Sequence, residues 1–304
     1  MTINQALKSA LAIFKKQTLD SALLDAQILL AFVLKKTKEY LFTYPEKTLT
    51  KNQAARFKTL IKQRTAGRPI AYLTHHKEFY GLDFYVNRSV LIPRPDTELL
   101  VSETIKLVTA GRDRQPTNIN IAEIGTGSGA IAVAITVSVG HTRPLPAANI
   151  FATDISAKAL TVAQKNARLH HAKIKFLHGN LLEPLKNQKI DILIANLPYL
   201  PTSNIKGLVT LSSVEGRQKS FDTIGLKFEP HTALYSGPDG LNAYREFFHQ
   251  AAKLKHQPKF ILIEFDPRQT PTLKKIIKTI FPTSKIQVKK DLCGLDRVMI
   301  VKIV

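Results

Sequence analysis

Ile121-Ala122-Glu123-Ile124-Gly125-Thr126-Gly127-Ser128-Gly129-Ala130 is the stretch on which the fold turns. A short apolar run runs into three glycines and then into a helical pattern of small residues. Glycines at such a junction permit a tight turn and let the main chain approach a ligand closely. Their Gly-x-Gly-x-Gly spacing departs from the Gly-x-Gly-x-x-Gly of dinucleotide sites, so the usual pyrophosphate cradle is missing. Glu123, just before the first glycine at the carboxyl end of the strand, would repel a phosphate and attract an ammonium group.

Working outward from that loop, short β-rich runs at residues 119–124, 149–153, 174–177, 190–195 and 260–263 alternate with helical stretches. This alternation predicts a doubly wound parallel α/β sheet covered on both faces. The runs at 285–289 and 297–303 are joined only by residues 291–296, too few for a helical crossover, so the reading predicts a final antiparallel strand at the sheet edge. Upstream, residues 22–33 and 51–64 carry apolar residues at three- and four-residue spacing, with Asp20 or Ser21 as N-cap of the first. Between 79 and 92 the period changes. Phe84, Val86, Val90 and Ile92 alternate around Gly81 and Asn87, which predicts a β-hairpin. Pro93-Arg94-Pro95-Asp96-Thr97-Glu98 follows, with Asp96 or Thr97 capping the next helix. The organisation expected is a helical N-terminal domain over 1–75, a hairpin linker and Pro-Arg-Pro segment over 76–98, and a catalytic domain over 99–304.

Composition narrows the class. The 304 residues are 44% hydrophobic and 22% charged, as in globular proteins, and no apolar run reaches membrane-spanning length. The first fourteen residues are too often interrupted by polar side chains to form a signal-peptide core. One cysteine, Cys293, allows no internal disulfide and fits a reducing cytoplasm. Lys and Arg outnumber Asp and Glu by 44 to 23, a formal +21, which favours encounter with nucleic acid, ribosome or an acidic protein. The adjacent pairs His75-His76 and His170-His171 diverge in regular structure, and no metal motif occurs, so no metal is expected.

Three further segments belong to the crevice at the strands' carboxyl ends. Asp154 closes the second strand, where a carboxylate can take two ribose hydroxyls; alternatively it caps the helix that follows, a role Ser156 fills equally well. Asn180 offers an amide that could face adenine. Asn196-Leu197-Pro198-Tyr199 follows the fourth strand. Methylating an amide or exocyclic amine requires both N–H groups to be held while the nitrogen is aimed at an electrophilic methyl. The Asn196 side-chain oxygen and the carbonyl of residue 197 are suited to hold them, Pro198 stiffens the loop, and Tyr199 can stack on the planar group.

On these residues the chain resembles the N5-glutamine methyltransferases that modify the Gly-Gly-Gln motif of peptide-chain release factors. The similarity also covers Phe79-Tyr80-Gly81, Leu91 to Glu98, Glu229-Pro230, Ala233-Leu234, Gly237-Pro238-Asp239-Gly240-Leu241 and Tyr244-Arg245. The resemblance implies a class I methyltransferase-type sheet, S-adenosylmethionine as methyl donor and a release factor as protein partner. It places Glu123, Gly125, Thr126, Gly127, Ser128, Gly129, Asp154, Asn180, Leu181 and Asn196 around the donor, and Asn196 to Tyr199 around the glutamine. This chain departs from the family pattern with Leu197 for proline and Asn180 for aspartate. Its 200–228 connection is also longer, which reads as a lid. Three alternatives share parts of the pattern. One is a glutamine methyltransferase of a large-subunit ribosomal protein. Another is a ribosomal-RNA adenine methyltransferase, which uses the same Asn-Leu-Pro-Tyr but appends its helical domain after the sheet. The third is a non-catalytic RNA-binding protein.

Overall fold

A computed structural model of the chain describes residues 1–16, 19, 21–110, 119–141, 148–205 and 225–304. Its contacts gather into two units. One comprises Met1–His76 with the described part of Lys206–Glu229, the other Lys77–Ile205 and Pro230–Val304. Most of the 200–228 connection, residues 206–224, lies outside the described residues, and so does Asp20. Among the described residues no helix is long and apolar enough to cross a membrane.

The first unit is helical: α1 (Ile3–Lys15), α2 (Ala22–Leu34), α3 (Lys38–Thr43), α4 (Lys51–Thr65) and α5 (Ile70–Thr74). Capping boxes start α1 and α4, with Thr2 and Thr50 exchanging hydrogen bonds with Gln5 and Gln53 three residues on. Ser21 precedes α2 but its side chain makes no capping bond. Phe14, Leu29, Leu30, Phe57 and Leu73 meet in the core. Arg64, near the end of α4, is drawn into this unit by Asp25 on α2, with Nε to Oδ2 at 2.6 Å and both side chains buried. Removing either partner would strand a buried charge, at a cost of about 3–5 kcal/mol.

The second unit begins within a two-stranded hairpin, β1 (His76–Phe79) and β2 (Leu82–Tyr85). Tyr80 and Gly81 between them have φ of 54° and 72°, the paired left-handed conformation that matches strand twist. The hairpin therefore lies earlier than the sequence alternation suggested. Val86, Val90 and Ile92 are buried but form no strand; an Asn87 turn, its side chain accepting from Ser89 N at 2.9 Å, ends the ladder. Asn166 fastens the end of β2. It bonds both N and O of Tyr85 and donates to the Ser128 carbonyl at 2.8 Å.

The sheet holds β3 (Asn120–Ile124), β4 (Asn149–Asp154), β5 (Ile174–His178), β6 (Ile192–Ala195), β7 (Phe260–Glu264), β8 (Lys285–Lys290) and β9 (Asp296–Lys302), in the order β5-β4-β3-β6-β7-β9-β8. Helices α6 (Glu98–Ala110), α7 (Ala130–His141), α8 (Ala157–Leu169), α9 (Asn242–Ala252) and α10 (Thr270–Ile280) accompany it. Alternate strand residues feed two cores. Ala122, Ile124, Leu193, Ala195, Ile261 and Ile263 meet Tyr244, Phe247, Phe248, Leu273 and Ile277 of α9 and α10. Ile121, Ile192, Ile194 and Leu262 meet Leu100, Val101 and Ala132 to Ile135 of α6 and α7. Covering both faces is why these strands read as continuous apolar runs. The last strand, β9, is antiparallel as expected but is not the edge. It inserts between β7 and β8, pairing antiparallel with both, and β8 takes the edge. A short link forces the two strands to be neighbours but does not say which of them meets β7. The burial settles it: β9 carries Val298 to Val301 buried, whereas no residue of β8 is buried.

Candidate functional site

The chain passes outward from β3 through β4 to β5, then returns to β6 on the other side of β3. Such a reversal opens a crevice at the carboxyl ends of the two central strands. The glycine loop leaves β3 there and Asn196 leaves β6. A cavity of about 700 Å³ occupies the place.

Gly125, Thr126, Gly127 and Ser128 line it, with Glu123, Asp154, Asn180 and Leu181. The loop is held by Gly125 N and Thr126 N, each donating to the Thr153 carbonyl at 2.9 Å. A Cβ built at Gly127 would meet nothing within 4 Å, so the main chain here faces open space. Gly129 does not line the cavity. Its φ is 79° and a Cβ there would come within 3.0 Å of Ala163, so this glycine lets α7 start close against α8.

Glu123 is 2% exposed; its Oε2 accepts from Thr126 Oγ1 at 2.7 Å and Ala132 N at 3.0 Å. Burial raises its pKa to about 8 against those two bonds, so at neutral pH the ligand-free group is largely a neutral acid. Asp154 Oδ2 accepts from Gly127 N and Oδ1 from Ser156 N, both at 2.8 Å. Burial pushes its pKa upward while the Ser156 and Gly127 amides hold it down. The capping role falls to Ser156, whose Oγ accepts from Ala159 N at 3.2 Å. Leu181 sits at φ 51° with its carbonyl accepting from Thr153 Oγ1.

Asn196, Leu197 and Pro198 line the cavity too. Asn196 Nδ2 donates to Thr97 Oγ1 at 3.2 Å, joining the tetrapeptide to the Pro-Arg-Pro-Asp-Thr-Glu segment across 99 residues. Leu197, which stands where the family has proline, is firmly held. Its side chain is buried in the core, and its N–H donates to Tyr244 Oη at 3.2 Å. Tyr244 in turn donates to the main-chain carbonyl of Glu264. Tyr199 is not among the residues facing the cavity. Its hydroxyl turns to Glu264 Oε1 at 3.4 Å, and its carbonyl accepts from Gln269 Nε2 at 2.9 Å. Gly240, with φ 79°, passes so near the Tyr199 carbonyl that no Cβ could fit.

Sequence reading assigned no role here to Thr97, Tyr244, Glu264 or Gln269. In the sequence Thr97 reads as a helix cap, and Tyr244 and Gly240 stand only within matching motifs.

Residues 5–74 match the PrmC N-terminal domain model, and residues 97–223 the methyltransferase small domain model. The release factor glutamine methyltransferase of Moorella thermoacetica is 37% identical over 98% of this chain and 97% of its own length. That of Koribacter versatilis is 32% identical over 99% and 98%. The chain belongs to the release factor glutamine methyltransferase family. It is a methyltransferase. The human Mettl16 catalytic domain, solved with the MAT2A 3′UTR hairpin 1, superposes with a TM-score of 0.57 over 90% of this chain and 91% of that one, at 15% identity. That likeness is one of fold, and the family sequence pattern is carried by the cavity just described.

Proposed function

We propose that this cavity binds S-adenosylmethionine along the glycine loop and that Asn196 to Tyr199 present a release-factor glutamine for methylation at its side-chain nitrogen. The observation that carries the reading is the meeting of Asp154, the glycine loop and Asn196 on one cavity in a chain of this family. The residues suit such a donor. Gly127 leaves room for close approach, Asp154 carries a carboxylate already oriented by two amides, and Glu123 offers a buried acid to a positive charge. When bound, S-adenosylmethionine supplies a methyl group made electrophilic by a cationic sulfur.

The chain's part is orientation. An amide nitrogen is a poor nucleophile because its lone pair is delocalised, so its two N–H groups must be held while the nitrogen is aimed. We assign this to Asn196 Oδ1 and the Leu197 carbonyl. Such positioning is worth several kcal/mol when a near-attack geometry results. Tyr199 anchors the far end of the loop through its hydroxyl and carbonyl. We assign recognition of the release-factor body to the helical unit, residues 1–75, and steering of the encounter to the +21 charge. A cytoplasmic location fits the single exposed Cys293.

The test is incubation of the full chain with isotopically labelled donor and purified release factor, followed by mass spectrometry of the peptides. One labelled methyl on the glutamine is expected. Label on a ribosomal protein or an RNA adenine, and none on the release factor, would overturn the substrate.

A further inference from the structure

Asn196 has two faces, and catalysis needs a particular one turned to the cavity. An amide holding a substrate N–H must offer oxygen; rotated by half a turn it offers N–H to N–H. Packing distinguishes the two poorly, because the oxygen and nitrogen ends have nearly the same shape. Something chemical must decide.

The structure supplies a candidate behind the amide. Asn196 Nδ2 donates to Thr97 Oγ1, and Thr97 is itself only 4% exposed, held in a turn where its N–H bonds the Arg94 carbonyl. A hydroxyl has one proton. With Asn196 donating to one of its lone pairs, Thr97 must send that proton elsewhere. Beside it stands the carboxyl of Glu264, close enough that the Thr97 hydroxyl helps hold its pKa down. Glu264 is 1% exposed, and its Oε2 has no hydrogen-bond partner among the described residues, while Oε1 is met by Tyr199. The buried acid is thus short of one donor where Thr97 has one proton to give.

We infer that Glu264 and Thr97 are positioning residues that fix the Asn196 amide with its oxygen toward the substrate. Glu264 draws the Thr97 proton, Thr97 is left able only to accept, and Asn196 can then meet it only through nitrogen. No covalent step is involved, and neither residue touches the reacting atoms. The inference rests on the reading of Asn196 as the holder of the substrate amide.

The experiment uses the full chain. Wild-type methylation of the release factor is measured first, which tests the functional reading alone. Thr97→Val, nearly isosteric, removes the hydroxyl, Thr97→Ser keeps it, and Glu264→Gln keeps the shape but brings an N–H that can donate to Thr97. Thr97→Val and Glu264→Gln are each expected to lower kcat about tenfold or more, the effect of one misdirected hydrogen bond, with donor affinity and KM within about twofold. Thr97→Ser is expected to recover kcat to within about threefold of wild type, because only the hydroxyl matters to the relay. Independently of turnover, the Asn196 side-chain amide protons, assigned by their loss in Asn196→Ala, are expected to exchange slowly in wild type and fast in Thr97→Val. Equal exchange in the two proteins, or a Thr97→Val kcat equal to wild type, would overturn the inference even if the release factor is methylated. A fall in donor affinity parallel to kcat would assign both residues to structural support alone.

Discussion

Glu123, near the end of β3, and Glu264, at the end of β7, are both acids at the carboxyl edge of the parallel sheet, 2% and 1% exposed. Burial raises the pKa of each, to about 8 and about 7. Their partners differ in origin. Those of Glu123 come from the next nine residues, the Thr126 hydroxyl and the Ala132 amide. Around Glu264 stand Tyr199, Thr97, Arg297 and Asp96, from three separate parts of the chain. One acid therefore belongs to a local loop and lines the cavity where the donor is proposed to bind. The other ties together segments that meet only in the folded protein, next to the tetrapeptide proposed to hold the acceptor.

The comparison breaks most visibly at Asn196, through which Glu264 would act. Asn196→Ala removes the proposed acceptor for the substrate N–H, and the methylation rate should fall by about two orders of magnitude with donor binding kept. Rapid-quench measurement of methyl transfer checks this; a fall below tenfold would detach Asn196 from substrate. On the other side, Asp154→Ala should weaken donor binding by roughly 1–3 kcal/mol through lost charge-assisted bonds. Calorimetry giving equal affinities would take Asp154 out of the site.

Protons sharpen the contrast. Below about 8 the ligand-free Glu123 is protonated, so a cationic donor bound beside it at pH 7 should expel up to one proton. Calorimetry in buffers of different ionisation enthalpy reads that proton directly, and Glu123→Gln should abolish it. For Glu264 the readout is turnover. By the inference above the ionised form draws the Thr97 proton, so kcat should rise with pH through about 7 and lose that step in Glu264→Gln. The groups around it are Thr97 and Asp96 in the turn before α6, Arg297 on β9 and Tyr199 after β6, with Tyr244 of α9 on its main-chain carbonyl. Both raised values also bear on stability. Each neutral acid contributes stability that is full below the ordinary 4.5 and is lost as pH climbs through about 7 and about 8.

The smallest effect belongs to Leu197→Pro. It deletes the N–H that meets Tyr244 Oη, an ordinary hydrogen bond worth about 0.5–1.5 kcal/mol, and trims a buried side chain. Activity should stay within about tenfold, with a modest loss of thermal stability. Collapse of activity would mean that the Leu197 side chain, against which Gly125 packs, shapes the glycine loop.

Much of this was legible before any coordinates. The periods of two and 3.6, the glycine loop, Asp154 and the tetrapeptide each announce themselves within a few neighbouring residues, because strands, turns and caps are set by local sterics and hydrogen bonding. Sequence alone therefore determined the parallel sheet, the helical first unit, and the side chains at the strand ends that form the cavity. It misplaced the hairpin, because buried alternation continues past the last paired residue, and it set β9 at the edge, because two adjacent strands leave their order open.

What only the tertiary structure decided is the set of partners far apart in the chain. Thr97 meets Asn196 across 99 residues, Tyr244 meets Leu197 across 47, and Tyr199 meets Glu264 across 65. The reason is physical. Thr, Tyr and Glu bond equally well to water, and nothing in their neighbours marks which of them the sheet will bury. Only once β6 and β7 lie side by side, with the turn before α6 beside their ends, must each buried donor and acceptor find a mate.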